Sequence, residues 1–260
     1  MGDGINDSAA LKAADVGISV DTAVDIAKDT ADIILLEKSL MIIQVGVIEG
    51  RKVFANIMKY IKMSASSNFG NMFSMLGASI LLPFVPMAPV QILLNNFLYD
   101  CSQTAVPSDN VDMEYLEKPR MWDISGIARY MLLIGPISSI FDYATFGLMW
   151  FFVGANTSQA ANVFQTGWFV ESLISQTLIV HIIRTNKIPF IESKPSALLL
   201  TTSIIICLIG ILLPFTSLGG SMEMKILPNT YWIGLSIILI TYFSLTFIAK
   251  TWFVKKNLIS

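Results

Sequence analysis

Hydrophobic positions take two arrangements along the chain. Through residue 37 they form short clusters parted by charges: SAALKAA, VGISV, TAVDIAKDTA and DIILL. The first and third fit a helical period, with Asp7 placed to cap the first, while the second and fourth have strand length. Strands alternating with helices predict a parallel sheet with helices laid on it. Residues 1–37 are too few to supply much core, so they are read as the end of a larger α/β domain. No strand precedes the opening GDG loop in this sequence, so that loop is expected to be poorly held.

Beyond residue 37 the apolar runs lengthen. A stalk helix is expected over residues 38–60, where Arg51, Lys52 and Lys59 stand beside apolar positions. It continues without an evident break into the first of six predicted transmembrane helices. These are expected near residues 61–82, 90–106, 127–153, 163–183, 197–214 and 231–254. The last four are each long enough for a crossing, which takes about 20 apolar residues. Ser, Asn and Asp interrupt the first two, and the three prolines of PFVPMAP predict the turn between them. Six spans also sort the charges. Lys118, Arg120, Arg129, Arg184, Lys187, Lys194, Lys250, Lys255 and Lys256 fall on the side of the stalk, against Lys225 on the other. The positive-inside bias then places both termini in the cytoplasm.

Composition sharpens this reading. Of the 260 residues 54% are hydrophobic and 14% charged, against about 25% charged in a soluble domain. The net charge of -2 gives no reason to expect a nucleic-acid partner; the expected surroundings are a lipid bilayer. Cys101 and Cys207 suggest neither a disulfide framework nor a metal site. Trp122, Trp150, Trp168, Trp232 and Trp252 lie near predicted span ends, where interfacial anchoring is the default.

Polar side chains inside the predicted spans are the first candidate chemistry. Ser64, Ser67, Asn68, Asn71 and Ser74 share one helical face. Asn96, Asp100 and Gln103 are spaced by four and three, with Gln91 and Asn95 as a neighbouring pair. Asp142 and Glu171 fall in later spans. Intramembrane carboxylates are costly and usually face a bundle interior or a wet path. Carboxylates and amide oxygens are also the hard ligands that Mg²⁺ and Ca²⁺ take. A site for a transported cation is therefore expected at Asn68, Asn71, Asn96 and Asp100, with Asp142 and Glu171 as secondary candidates. Plain interhelical hydrogen bonding is the competing reading of the same residues.

The second candidate is MGDGINDSAALKAADVGISV itself. Gly2 and Gly4 allow the backbone to pass close to a ligand. Asp3 and Asp7 can turn carboxylates toward a catalytic Mg²⁺, and Asn6 can donate to a phosphate or orient a carboxylate. A GDG turn alone is equally an Asx-type turn before a helix. The pentad DGIND ahead of a charged stalk and polar-lined spans is more specific.

This stretch resembles the hinge motif of the phosphorylation domain in P-type cation-transporting ATPases, and DTAVDIAKDTADIILLEKSL resembles the end of that Rossmann-like, HAD-like domain. VQILLNNFLYDCSQTAVPSDNVDMEYLEKPRMWD resembles the magnesium-transporting branch. The resemblance implies transport driven by ATP through an aspartyl-phosphate. It implies that Asp3 holds the catalytic Mg²⁺ while Asp7 and Asn6 support the phosphorylation site. It makes the predicted membrane domain, residues 61–254, equivalent to the family's fifth through tenth transmembrane helices. It further implies Mg²⁺ import across a bacterial inner membrane.

The DKTGT nucleophile motif and the TGES loop of that family do not occur in the sequence, and Met1 stands where the family usually has Thr. The chain is therefore expected to be the C-terminal part of such a pump, inactive alone, with a complementing N-terminal half as a partner. The alternatives are the C-terminal subunit of a split pump and an ATP-independent cation channel or secondary transporter. The last would leave residues 1–37 without a use.

Overall fold

The computed structural model describes residues 1–37 and 39–256. Lys38, where the expected stalk begins, lies outside the described residues. The chain divides into two compact units, Met1–Lys52 and Val53–Ser260.

In the first unit a 3-10 turn, Ile5–Asp7, leads into α1 (Ser8–Ala13), followed by β1 (Ile18–Val20), α2 (Asp25–Thr30) and β2 (Ile33–Leu35). The two strands pair in parallel with Ile18 opposite Ile33 and Val20 opposite Leu35. Leu11, Val20, Ala23 and Ala27 form the small core, with Leu35 packed on it. Among the described residues these two strands are the whole sheet, a small and incomplete one.

Helix α3, Leu40–Leu81, runs for 42 residues. The second unit continues with α4 (Pro89–Gln103), α5 (Met113–Leu116), α6 (Ile124–Gly147), α7 (Ala161–Ile183), α8 (Ala197–Leu212), α9 (Ser217–Ser221) and α10 (Asn229–Lys255). Helix α7 is the axis of this unit: it packs against α4, α6, α8 and α10 and is buried along almost its whole length. That position explains how Gln165, Glu171, Ser172, Ser175, Gln176 and Thr177 sit inside an apolar bundle. Facing neighbours rather than lipid, such groups can bond across helices. Helices α3 and α6 approach where Gly70 meets Gly135, whose missing side chain would stand 3.2 Å from the Ser66 carbonyl oxygen.

The count of six transmembrane helices is not upheld. Among the described residues four helices are long and apolar enough to cross a membrane: Ile124–Val153, Ser158–Ile183, Ala197–Phe215 and Asn229–Lys255. The remaining two fail for physical reasons. Helix α4 has 15 residues. At 1.5 Å per residue it reaches about 22 Å, short of a hydrocarbon core of about 30 Å. Helix α3 has the length but not the apolarity, because Lys59, Lys62, Ser64, Ser66, Ser67, Asn68, Asn71 and Ser74 break up its apolar run.

Candidate functional site

The N-terminal loop is held by its own atoms, contrary to the expectation that it would be poorly fixed. The Gly2 amide donates to the Ile18 carbonyl at 3.1 Å, and Val24 N–H to the Asp3 carbonyl at 3.2 Å. Ser19 Oγ donates to the Gly2 carbonyl at 2.9 Å. Asp7 does not cap α1. Its Oδ2 turns back and accepts from the amides of Asp3, at 3.0 Å, and Gly4, at 2.9 Å. A side chain on Gly2 would run into that of Asp7, which accounts for the first glycine.

This arrangement decides what the loop can hold. Three of its amides are satisfied internally, and one of its two carboxylates is spent on the turn. Asp3 and Asn6 are exposed. Mg²⁺ demands near-octahedral oxygen coordination, and among the described residues no three His, Cys, Asp or Glu side chains converge as a metal cluster. Asp3 and Asn6 thus stand at the surface of the loop, while Gly2, Gly4 and Asp7 are engaged in holding its turn. Replacing Asp7 with Ala is expected to free both amides at a local cost of about 1 kcal/mol. Hydrogen exchange at Asp3 and Gly4 should quicken several-fold while exchange in α6 and α7 stays unchanged.

In the second unit the serines and asparagines of the α3 stripe separate by role. Ser64 Oγ donates to Gln103 Oε1 at 3.2 Å, Tyr99 Oη donates to Ser67 Oγ at 3.0 Å, and Ser74 Oγ donates to Asp142 Oδ2 at 2.5 Å. These three tie helices together. Asn68 and Asn71 instead line an open cavity of about 230 Å³ with Asn95, Asn96 and Ser172, and Met72, Met75, Met87, Ile92 and Trp168 complete its lining. Asn96 and Asp100 are exposed on α4, and Asp100 does not line this cavity.

Asp142 and Glu171 are brought together. Both are almost fully buried, and their carboxyl groups are close enough to interact. Asp142 Oδ1 also accepts from Trp168 Nε1 at 3.0 Å. Among the described residues Glu171 Oε2 has no hydrogen-bond partner. Trp168 is thus not an interfacial anchor; it is buried, with one edge on the Asp142 carboxylate and its body against the cavity. Ser172 and Trp168 are the hydrogen-bonding lining residues that sequence spacing missed. The signal was their place on α7, on the Glu171 side of a helix rich in small polar residues.

A third polar group stands where the ends of α7 and α8 meet α3. Asp109 Oδ2 pairs with both Lys59 Nζ and Arg184 Nε, each at 2.8 Å. Its Oδ1 accepts from the Ser196 amide at 3.0 Å. Arg184 spends its other nitrogens on Ser193, Asn110 and Lys194. Burial raises the Asp109 pKa, yet the two cations outweigh it and hold the carboxyl below its usual value. Lys59 goes the other way, pushed down by burial more than Asp109 lifts it. One carboxylate shared by two buried cations accounts for that difference.

Spanning helices wrapped around a buried carboxyl pair and an amide-lined cavity define a multi-pass membrane protein with a polar interior. Residues 84–252 match the family described as "Cation transporting ATPase, C-terminus". The chain belongs to that cation-transporting ATPase family. It is 55% identical over 256 residues to "Magnesium-transporting ATPase, P-type 1" of Escherichia coli (strain K12), a match covering 98% of this chain and 28% of that relative. A Salmonella typhimurium (strain LT2) protein of the same description is 52% identical over the same length and coverage. "Calcium-transporting ATPase" of Bacillus subtilis (strain 168) is 38% identical over 100 residues, 38% of this chain and 11% of that protein. The chain thus spans about 28% of the length of the magnesium-transporting relatives.

Proposed function

We propose that the chain supplies the cation-pathway part of an ATP-driven Mg²⁺ import pump that works through an aspartyl-phosphate. The observation that carries this reading is the 55% identity, sustained over 98% of the chain, to a magnesium-transporting ATPase. The transported ion is assigned to the cavity bounded by Asn68, Asn71 and Asn96, with Asp100 one turn further along α4 and Asp142 and Glu171 deeper in the bundle. Mg²⁺ gives up its water reluctantly and usually keeps several ligand waters. A space of about 230 Å³ lined by neutral amides suits an ion that retains part of that shell.

In this reading residues 1–37 are the end of the phosphorylation domain. Asp3 is its exposed carboxylate, Gly2, Gly4 and Asn6 complete the loop, and Asp7 holds the turn. The phosphate-accepting aspartate and the ATP site come from sequence that these 260 residues do not contain, in the same polypeptide or in a complementing N-terminal half. The membrane is the bacterial inner membrane, with the basic ends of α7 and α10 in the cytoplasm.

The test is a chimera in which this chain replaces the matching segment of the Escherichia coli relative, assayed for growth of a Mg²⁺-transport-deficient strain at low Mg²⁺. Growth is expected, and Asn96→Leu should abolish it without lowering the amount of protein in the membrane. Mg²⁺-dependent phosphoenzyme turnover by the 260-residue chain alone would overturn the division of labour. Growth unaffected by Asn96→Leu would remove the cavity from the pathway.

A further inference from the structure

Helix α7 carries a residue that holds two of the amide-lined cavity's oxygens without lining the cavity itself. Gln176 is 2% exposed and lies one turn beyond Ser172. Its Nε2 has two hydrogens and two acceptors, Ser172 Oγ at 2.6 Å and Asn95 Oδ1 at 3.4 Å. Asn95 is gripped from its other side as well, because its Nδ2 donates to the Phe169 carbonyl at 3.2 Å. Asn95 and Ser172 are both buried, and both line the cavity beside Asn68, Asn71 and Asn96.

These bonds fix which atoms the wall presents. An asparagine side chain can turn over and exchange its oxygen for its nitrogen. Turned over, Asn95 would set its oxygen against the Phe169 carbonyl and its NH₂ against the NH₂ of Gln176. Both hydrogen bonds would be lost in a buried place, where unmade bonds are costly. Asn95 therefore keeps its oxygen on the Gln176 side, and Ser172 Oγ accepts from the same NH₂. Each of these oxygens has a second lone pair beyond the one that Gln176 occupies. Gln176 Oε1 has no hydrogen-bond partner among the described residues, so its surroundings use the donor end of the side chain. The competing role is a plain fastening of α4 to α7.

On the reading that this cavity carries the transported ion, we infer that Gln176 is a positioning residue that sets its selectivity. It holds the Asn95 and Ser172 oxygens in one arrangement at the wall and thereby favours Mg²⁺ over larger divalent cations. Mg²⁺ demands near-ideal octahedral geometry, whereas Ca²⁺ accepts a larger and more variable set of oxygens. Fixed oxygens therefore matter more to Mg²⁺, whether they meet the ion or the waters it retains. Groups hydrogen-bonded behind a metal's ligands orient those ligands and tune affinity through them.

The test measures uptake of isotopically labelled Mg²⁺ by transport-deficient cells carrying the chimera, with Ca²⁺ as competitor and rates divided by the amount of chimera in the membrane. Gln176→Met keeps the length of the side chain and removes its donors. It should raise the KM for Mg²⁺ about ten-fold. The saturated rate per molecule and the Ca²⁺ inhibition constant should each change less than about two-fold, so discrimination falls. Gln176→Asn retains a buried amide that stops one methylene short, and it serves should Gln176→Met fold poorly, with a KM rise of about three-fold. Ser172→Ala should raise KM, and Gln176→Met added to it should raise KM by less than it does alone. Thr177→Val, next along α7 with its hydroxyl on the Leu173 carbonyl of its own helix, should change neither KM nor discrimination. Unchanged KM and discrimination in the Gln176 variants while Asn96→Leu abolishes uptake would overturn the positioning role and leave the cavity in the pathway. Loss of protein from the membrane with no change of KM would likewise reduce Gln176 to a fastening. Uptake unaffected by Asn96→Leu would overturn both assignments.

Discussion

Replacing Asp109 with Ala is expected to destabilise the helical unit by about 3–5 kcal/mol, the cost of leaving a buried ion pair with one side removed. Asp109 is fully enclosed, its side chain 0% exposed, and it is the carboxylate bonded to both Lys59 and Arg184, themselves 7% and 1% exposed. Without it two cations remain inside with backbone carbonyls as partners: Asn110 for Lys59, and Asn110, Ser193 and Lys194 for Arg184. The Ser196 amide, which opens α8, also loses its acceptor. Thermal unfolding in detergent should show a large drop for Asp109→Ala. Adding Lys59→Met should recover part of it, because one stranded charge is then gone. A drop no larger than that of Glu49→Ala, which removes an exposed pair with Lys52, would refute the role. The pH dependence has a definite sign. Because the folded Asp109 pKa is depressed, its contribution is complete above the unfolded value of about 3.9 and is lost as pH falls through the lower folded value.

Residues differ in how plainly the sequence announces them. The apolar runs that became α6, α7, α8 and α10 combine length with few charges, two properties a linear pattern states directly. The six-helix count failed at α3 and α4, where polar residues lie on helices that are respectively too broken in apolarity and too short to qualify. Spacing put Asn68 and Asn71 on one face with three serines, and it could not separate them. Only the tertiary partners, Gln103, Tyr99 and Asp142, show that the serines bridge helices while the asparagines line a space. The same limit hid Asp109. It sits in a loop of ordinary composition, and its two cations come from positions 50 and 75 residues away. Trp168 was misread because proximity to a helix end suggests an interface, whereas α7 is surrounded on all sides by protein. Asp7 showed its type but not its direction, which a backbone turn of seven residues decides.

Replacing Asp142 separates packing from transport, and its Ala and Asn variants should part company. Asp142→Ala should cost on the order of 3 kcal/mol. Ser74 can fall back on its second acceptor, the Gly70 carbonyl at 3.0 Å, but buried Trp168 Nε1 loses the acceptor that it has at 3.0 Å. Glu171, one oxygen of which lacks a hydrogen-bond partner among the described residues, also loses its neighbour. Asp142→Asn keeps one acceptor oxygen and nearly the same volume, so Trp168 stays bonded and the amide can donate to Glu171. Its unfolding temperature should lie within a few degrees of wild type. If the carboxyl pair belongs to the ion path, the Asn variant should fold normally yet abolish Mg²⁺-dependent growth of the chimera, since an amide cannot carry the charge or proton that the carboxyl exchanges. If the pair serves packing alone, Asp142→Asn should support growth as well as wild type, and only Asp142→Ala should fail, in proportion to the protein lost. The discriminating quantity is growth per folded molecule in Asp142→Asn, because both readings predict the same fate for Asp142→Ala.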